Sequence, residues 1–423
     1  MIRHGRRALL VENIHPGAVD VLEREGYEVE SVGRALASAQ LVERLDGVSL
    51  LGIRSRTEIG DGVLEAAPDL LAVGAFCIGV NQIDLAAAAR RGVAVFNAPF
   101  SNTRSVVELV LAEIIALTRR LTDKNAAMHA GVWDKSAAGS HEVRGRRLGI
   151  VGYGKIGSQL SVLAENLGMS VRYYDVTDRL ALGNARRCSS MRELLEVADV
   201  VTLHVDGRPG NSGLFGEDEF AAMRDGSLFL NLSRGFVVDH AALRRHIESG
   251  HLAGAALDVF AQEPDGAGDE FASELRGLPN VILTPHIGGS TEEAQEDIGQ
   301  FVAGKLRDYV RDGSTALSVN LPPLALDRRP DTHRIVYLHR NLPGALARLD
   351  GVLADHGVNI EGQLLGTRDQ LGYAITDVGA ACGDDVLRRL AELDEAIRVG
   401  LLSEVGLTPA RMLRGRDALP APS

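Results

Sequence analysis

Three glycines, an aspartate and a widely spaced arginine, glutamate and histidine are the residues of this chain whose types and spacing could do chemistry. Residues 148 to 157 read LGIVGYGKIG, and Asp175 closes the next apolar run 18 residues after Gly157. The pattern predicts a strand, a glycine turn, a helix, a second strand and a carboxylate, in that order. Gly152 permits a tight turn out of the strand, Gly154 lets backbone N–H groups approach a pyrophosphate, and Gly157 lets the helix pack closely on the sheet. The helix N-terminus adds partial positive charge, which favours phosphate. At the end of SVRYYD, Asp175 would accept hydrogen bonds from ribose hydroxyls and repel a 2′-phosphate, so the dinucleotide expected is NAD rather than NADP. Arg179, the nearest cation after it, is expected to face solvent.

The other three residues each follow an apolar run: Arg234 in LNLSRG, Glu263 in DVFAQEP and His286 in LTPHIGGS. All three therefore fall beyond strand carboxyl ends, where open α/β sheets place their ligands. A guanidinium there can grip a planar carboxylate through two parallel hydrogen bonds. An imidazole, with an ordinary pKa near ~6.5, suits proton transfer around neutral pH. Glu263 would bond the second ring nitrogen and favour the imidazolium. Hydride transfer to or from a 2-hydroxy acid needs this set: a proton acceptor, a carboxylate clamp and a group that orients the base.

These residues must be held by a parallel sheet wound with helices, and short apolar runs alternate with helical stretches from residue 7 onward. Strands are expected at 48–53, 70–74 and 93–96, then at 148–151, 171–175, 200–204, 228–232, 253–259 and 281–284, with long helices over 105–120 and 291–312. The fold class is α/β with two doubly wound parallel sheets. Residues 1–98 and 287–320 would form a flavodoxin-like substrate domain, and residues 99–286 a Rossmann-like cofactor domain inserted in it. After a proline-containing linker, 321–331, the pattern restarts as βαββαβ over 332–404, and 405–423 reads as a mobile tail.

Composition narrows the class. With 45% hydrophobic and 24% charged residues and no apolar run near the roughly 20 residues of a membrane helix, the chain reads as globular, without a membrane span or secretory signal. A cytoplasmic location is the expectation. The net charge of −12 argues against nucleic-acid binding, which rests on clustered Lys and Arg. Cys77, Cys188 and Cys382 are too dispersed for a disulfide framework or a zinc site, so buried thiols and no metal are expected.

The runs GYGKIG, LNLSRGFVVD, ALDVFAQEP and LTPHIGGST resemble the signatures of the D-isomer-specific 2-hydroxyacid dehydrogenases, whose catalytic arginine, glutamate and histidine fall on Arg234, Glu263 and His286. GIRSRT (52–57), CIGVNQIDL (77–85), FNAPFSNTRSVVEL (96–109), WDKSAAGSHEVRG (133–145) and HRNLPGAL (339–346) are similar to the shorter bacterial members that act on 3-phospho-D-glycerate and carry an ACT regulatory domain. That resemblance implies NAD-linked oxidation of 3-phospho-D-glycerate at the entry to serine synthesis, side reduction of 2-oxoglutarate as in some members, and a homotetramer. It adds Lys155, Ile156, His204, Asp258 and Gly288 to the cofactor contacts. Arg54 and Arg56, at alternate positions of a strand end, would hold the substrate's phosphate, with Asn102 and Lys135 as further substrate contacts, the lysine in its own or a neighbouring subunit. His339, Asn341, Gly344 and Asn359 resemble the effector site of serine-binding ACT domains. One segment departs from the family pattern: Val205-Asp206-Gly207-Arg208-Pro209 stands where members commonly have a proline directly after His-Val. A non-catalytic, NAD-responsive binding protein is the reading from another class, and Arg54, Arg56 and the carboxy-terminal module favour the enzyme.

Overall fold

The computed structural model describes residues 6–264, 268–329, 331–379, 383–402 and 412–415. Cys382 and most of the expected tail lie outside the described residues. The chain forms two compact units, Met1–Ser101 with Gln295–Ser423, and Asn102–Ala294.

In the first unit, β1 (Arg7–Val11), β2 (Glu28–Val32), β3 (Val48–Ile53), β4 (Ala72–Ala75) and β5 (Ala94–Asn97) make a parallel sheet in the order β2-β1-β3-β4-β5. That is the flavodoxin-like winding. The central strands are apolar on both faces because both are covered. Leu10 and Phe96 meet Val302, Leu306 and Tyr309 of the helix Glu292–Asp312, while Leu9, Leu51 and Val73 pack on the opposite side. Strand β2 escaped the sequence reading. Its EVESV run is half exposed at the sheet edge, where charged residues are tolerated and no apolar run is needed.

The same unit holds an antiparallel sheet built from β13 (His333–Arg340), β14 (Ile360–Arg368), β15 (Leu371–Val378) and β16 (Ala396–Leu402), in the βαββαβ order β14-β15-β13-β16. The helices Ala345–Asp355 and Asp384–Ala391 cover one face through Leu349, Leu353, Leu387 and Leu390. The other face, through Val336, Leu338, Tyr373 and Ile375, joins the core of the first sheet. Two buried arginines fasten this junction. Arg334 forms a two-pronged ion pair with Asp377 at 2.6 and 2.8 Å and donates to the Asp312 and Leu326 carbonyls. Arg398 donates to the carbonyls of Leu70 and Gly92, and although burial pushes its pKa down to about 10 it stays charged at neutral pH. Within the segment expected to be a mobile tail, Met412–Arg414 instead forms a fifth strand, β17, paired to β16, because the exposed edge of β16 offers a ladder of backbone partners.

The second unit carries a seven-stranded parallel sheet of β6 (Arg147–Val151), β7 (Ser170–Tyr174), β8 (Arg186–Arg187), β9 (Val200–Leu203), β10 (Ser227–Asn231), β11 (Leu252–Leu257) and β12 (Val281–Leu283), ordered β12-β11-β10-β9-β6-β7-β8. Six strands were expected. The seventh, β8, is two residues long and too short for any periodicity to show. The order reverses at β6 and β9, the switch point at which Rossmann sheets bind dinucleotides. The helices Thr103–Thr118 and Lys155–Asn166 cover one face with Val107, Val110, Ile114, Leu160 and Ala164.

Candidate active site

The glycine turn has the geometry its spacing requires. Gly152 has φ +93°, and a Cβ there would stand 2.5 Å from the His204 carbonyl oxygen across the switch point. A Cβ on Gly157 would stand 2.4 Å from the Gly152 oxygen. Around Gly154 there is open space, so its backbone is free to meet a pyrophosphate at the start of the helix beginning with Lys155 and Ile156. The residues present therefore fit NAD.

Asp175 is held by the same turn. Its carboxylate accepts the Tyr153 N–H at 2.8 Å and the Thr177 N–H and hydroxyl at 2.8 Å. Burial alone would raise its pKa, but those hydrogen bonds and Arg179 outweigh burial and keep it ionised below the usual range. Arg179, expected to face solvent, is half exposed and stands 3.7 Å from the carboxylate. The pairing arises because the chain turns back after Thr177, which a linear reading does not show. His204 follows β9. Burial pushes its pKa down to about 3, so it is neutral, with Nε2 on the Thr202 hydroxyl.

Beyond β10, β11 and β12 the three separated residues come together. His286 Nδ1 lies 2.8 Å from Glu263 Oε2, and Glu263 Oε1 accepts the Phe260 N–H. The Glu263 bond raises the His286 pKa against the opposing effect of burial. For Glu263, burial raises the pKa but the His286 and Phe260 hydrogen bonds bring it below the ordinary value. The Arg234 guanidinium acts on both, favouring the carboxylate and disfavouring the imidazolium. Arg234 is anchored by its own Nη1 to the Ser233 carbonyl and by Asn231 to its backbone oxygen. Gly235 must follow it, since a Cβ there would stand 1.9 Å from the Phe260 carbonyl carbon.

His286 has φ +54°, rare for a residue with a side chain, and the turn that imposes it is braced by Asp258. This fully buried carboxylate accepts the Thr284 hydroxyl at 2.6 Å and the Ile287 and Gly288 N–H groups at 2.8 Å. Nearby Glu113, also buried, has its pKa pushed up to about 8, first by burial and then by Asp258. Sequence reasoning missed Glu113, an acid on the buried stripe of an apolar helix. That break in the pattern was the available signal.

The remaining expected contacts are placed as follows. Asn102 stands at the N-cap position of the helix Thr103–Thr118, with no side-chain cap hydrogen bond, and packs over Gly289. Lys135 is exposed, two residues from the exposed Trp133. Arg54 and Arg56 lie in the turn past β3 rather than on the strand, so strand alternation does not set their direction. The departing loop brings Asp206 and Arg208 into an ion pair, and a Cβ on Gly207 would come within 3.2 Å of Arg234 Nε. In the third sheet, His339 is buried, with Nδ1 on the Arg340 carbonyl and Nε2 without a partner among the described residues. Gly344, at φ +81°, starts the helix Ala345–Asp355. Asn341 and Asn359 are not brought together. Asn341 follows Arg340, which pairs with Leu371, whereas Asn359 precedes Ile360, which pairs with Val378. Seven strand steps separate those registers, about 24 Å.

Residues 111–288 match the D-isomer specific 2-hydroxyacid dehydrogenase NAD binding domain, and residues 335–398 match the AHAS small subunit-like ACT domain. The chain is 47% identical over 396 residues to a D-3-phosphoglycerate dehydrogenase of Dictyostelium discoideum, covering 94% of this chain and 97% of that one. A D-3-phosphoglycerate dehydrogenase of Haemophilus influenzae is 48% identical over 395 residues, 93% of this chain and 96% of that one. A solved Aquifex aeolicus D-lactate dehydrogenase, complexed with NAD and lactic acid, superposes with a TM-score of 0.62 at 25% identity, covering 72% of this chain and 95% of that one. With the glycine turn, the histidine–glutamate pair and both domain matches in one chain, the protein belongs to the D-3-phosphoglycerate dehydrogenase family of the D-isomer-specific 2-hydroxyacid dehydrogenases and is an NAD-dependent dehydrogenase.

Proposed function

We propose that the protein oxidises 3-phospho-D-glycerate to 3-phosphohydroxypyruvate as the first step of L-serine synthesis, with feedback by L-serine. The observation that carries the reaction is the 2.8 Å His286–Glu263 pair beside Arg234 at the carboxyl ends of the NAD-domain strands. Gly154, the start of the Lys155 helix and Asp175 would hold NAD, which would supply the acceptor for the hydride from C2. His286 Nε2 takes the hydroxyl proton, and Glu263 stabilises the imidazolium so formed. Arg234 grips the substrate carboxylate. Asp258 and Gly288 shape the turn beside the cofactor. Arg54 and Arg56 bind the phosphate, with Asn102 and Lys135 as further substrate contacts. The test is NADH oxidation with 3-phosphohydroxypyruvate against hydroxypyruvate, pyruvate, glyoxylate and 2-oxoglutarate. The phosphorylated acid is expected to lead and 2-oxoglutarate to react slowly, while a preference for an unphosphorylated acid refutes the assignment. His286→Ala is expected to abolish turnover while NADH binding stays within a few-fold.

L-Serine as the ligand of the ACT module is supported by the buried His339 Nε2, which has no partner among the described residues. Because Asn341 and Asn359 stand at opposite ends of the sheet, a site using both takes one from each of two copies, in keeping with a homotetramer. The enzyme would work in the cytoplasm. Among the described residues no helix is long and apolar enough to cross a membrane. Serine is expected to inhibit with a coupling of about 1–3 kcal/mol. Asn341→Ala and Asn359→Ala should each move the titration to higher serine. No serine effect on the wild type leaves the module with another ligand.

A further inference from the structure

The turn that carries Arg54 and Arg56 is organised by a residue with no part in the chemistry described so far. Glu12 follows β1 with φ +67°, and Asn13 after it has φ +54°, two successive side-chain-bearing residues in the left-handed region. Such backbone persists only where the surroundings demand it, and it clusters at functional sites. Here it turns a buried carboxylate toward the neighbouring turn. Glu12 accepts the Arg54 N–H at 3.1 Å and the Thr57 N–H at 2.8 Å on Oε1, and the Arg56 N–H at 3.0 Å on Oε2. Gln82 closes the other side by donating to the Arg54 carbonyl. Thr57 is fully buried, Arg54 half-buried and Arg56 exposed, so the turn is anchored at its far end and presents its cations outward.

Three N–H groups converging from four residues make a concavity of the kind that binds anions. In this chain the concavity is filled from within by a carboxylate. An incoming phosphate therefore cannot use those three N–H groups, which leaves the guanidinium side chains of Arg54 and Arg56, with the exposed Ser55 between them, to meet it. We propose that Glu12 is a positioning residue for phosphate selectivity: it fixes the 54–57 turn so that Arg54 and Arg56 are set at one spacing before substrate arrives. Preorganising the pair removes the ordering cost from binding. The proposal rests on the reading that these arginines hold the substrate's phosphate.

The experiment measures kcat/KM with NADH for 3-phosphohydroxypyruvate and for hydroxypyruvate, and takes their ratio, in wild type, Glu12→Gln, Arg54→Ala and Arg56→Ala. The amide of Glu12→Gln has nearly the shape of the acid but puts an N–H against a turn N–H. The ratio is expected to fall about tenfold, through KM for the phosphorylated acid, since a lost hydrogen bond to a charged group is of that size. General damage to the fold would lower both efficiencies together and leave the ratio alone. An unchanged ratio in folded Glu12→Gln, with a fall in the arginine variants, overturns the role of Glu12 and spares the phosphate reading. An unchanged ratio in the arginine variants overturns that reading and the proposal with it. Should Glu12→Gln not fold, Glu12→Asp keeps the charge but withdraws it by one methylene, and the same two outcomes apply.

Discussion

Replacing Asp258 by asparagine tests whether His286, the histidine proposed to move the proton, is held by the carboxylate beneath it. The three groups it accepts are the Thr284 hydroxyl and the Ile287 and Gly288 N–H groups, which flank His286 on both sides. Asparagine keeps one oxygen. If that oxygen serves Thr284 and Ile287, the amide N–H₂ faces the buried Gly288 N–H, and one charge-assisted bond worth about 1.5–3 kcal/mol is lost. The turn also carries the unfavourable φ of +54° at His286, so it has a relaxed alternative into which the loss can drain. If the whole loss is felt in that local equilibrium, the active arrangement is depopulated by up to roughly ten- to 160-fold. The assay is steady-state kcat for 3-phosphohydroxypyruvate reduction, beside the thermal midpoint and a fluorescence titration of NADH. A kcat within twofold of wild type in a folded variant would show that the turn holds its shape without the carboxylate, and the reasoning fails.

Three further outcomes are expected. Glu263→Gln removes the main cause of the raised His286 pKa, so burial and Arg234 prevail and the imidazole titrates lower. Reduction, which needs the imidazolium, then loses rate at lower pH, and oxidation, which needs the neutral ring, sets in at lower pH. Paired pH profiles check this, and an alkaline shift of either limb contradicts it. In stability terms the raised His286 pKa contributes fully below the ordinary histidine pKa, and that contribution is lost as pH rises through the raised value. Asp175→Ala deletes the proposed ribose acceptor and frees Arg179 to meet a 2′-phosphate, so the ratio of catalytic efficiencies for NAD over NADP is expected to narrow, and an unchanged ratio removes Asp175 from cofactor choice. Asp377→Ala leaves the Arg334 charge buried without its carboxylate, a loss of about 3–5 kcal/mol, visible as a lower denaturant midpoint for the full chain; an unaltered midpoint refutes it.

The cofactor turn was legible in the sequence because its physics is local: Gly152, Gly154 and Gly157 and the helix after them lie within a few residues of one another, and Gly152 and Gly157 each answer to a close contact while Gly154 stands in open space. Arg234, Glu263 and His286 were legible as a set because each follows an apolar strand, and parallel strands deliver their carboxyl ends to one edge. The edge strands β2, β8 and β17 were not, since β2 buries neither face fully and carries glutamates at the sheet edge, while β8 and β17 span only two and three residues. Nor could spacing show which carboxylates act as braces. Glu12 meets backbone groups 42 to 45 residues away, and Asp258 meets some 26 to 30 residues on. Such bonds depend on which strands lie side by side. The same holds for Asn341 and Asn359, which look like one motif along the chain and are driven to opposite ends of the sheet by the antiparallel register. Residue types and local spacing determined the fold class and the cofactor, and pointed to the residues proposed for proton transfer. Strand order and register, settled by burial across the whole chain, decided what holds each of those residues in place.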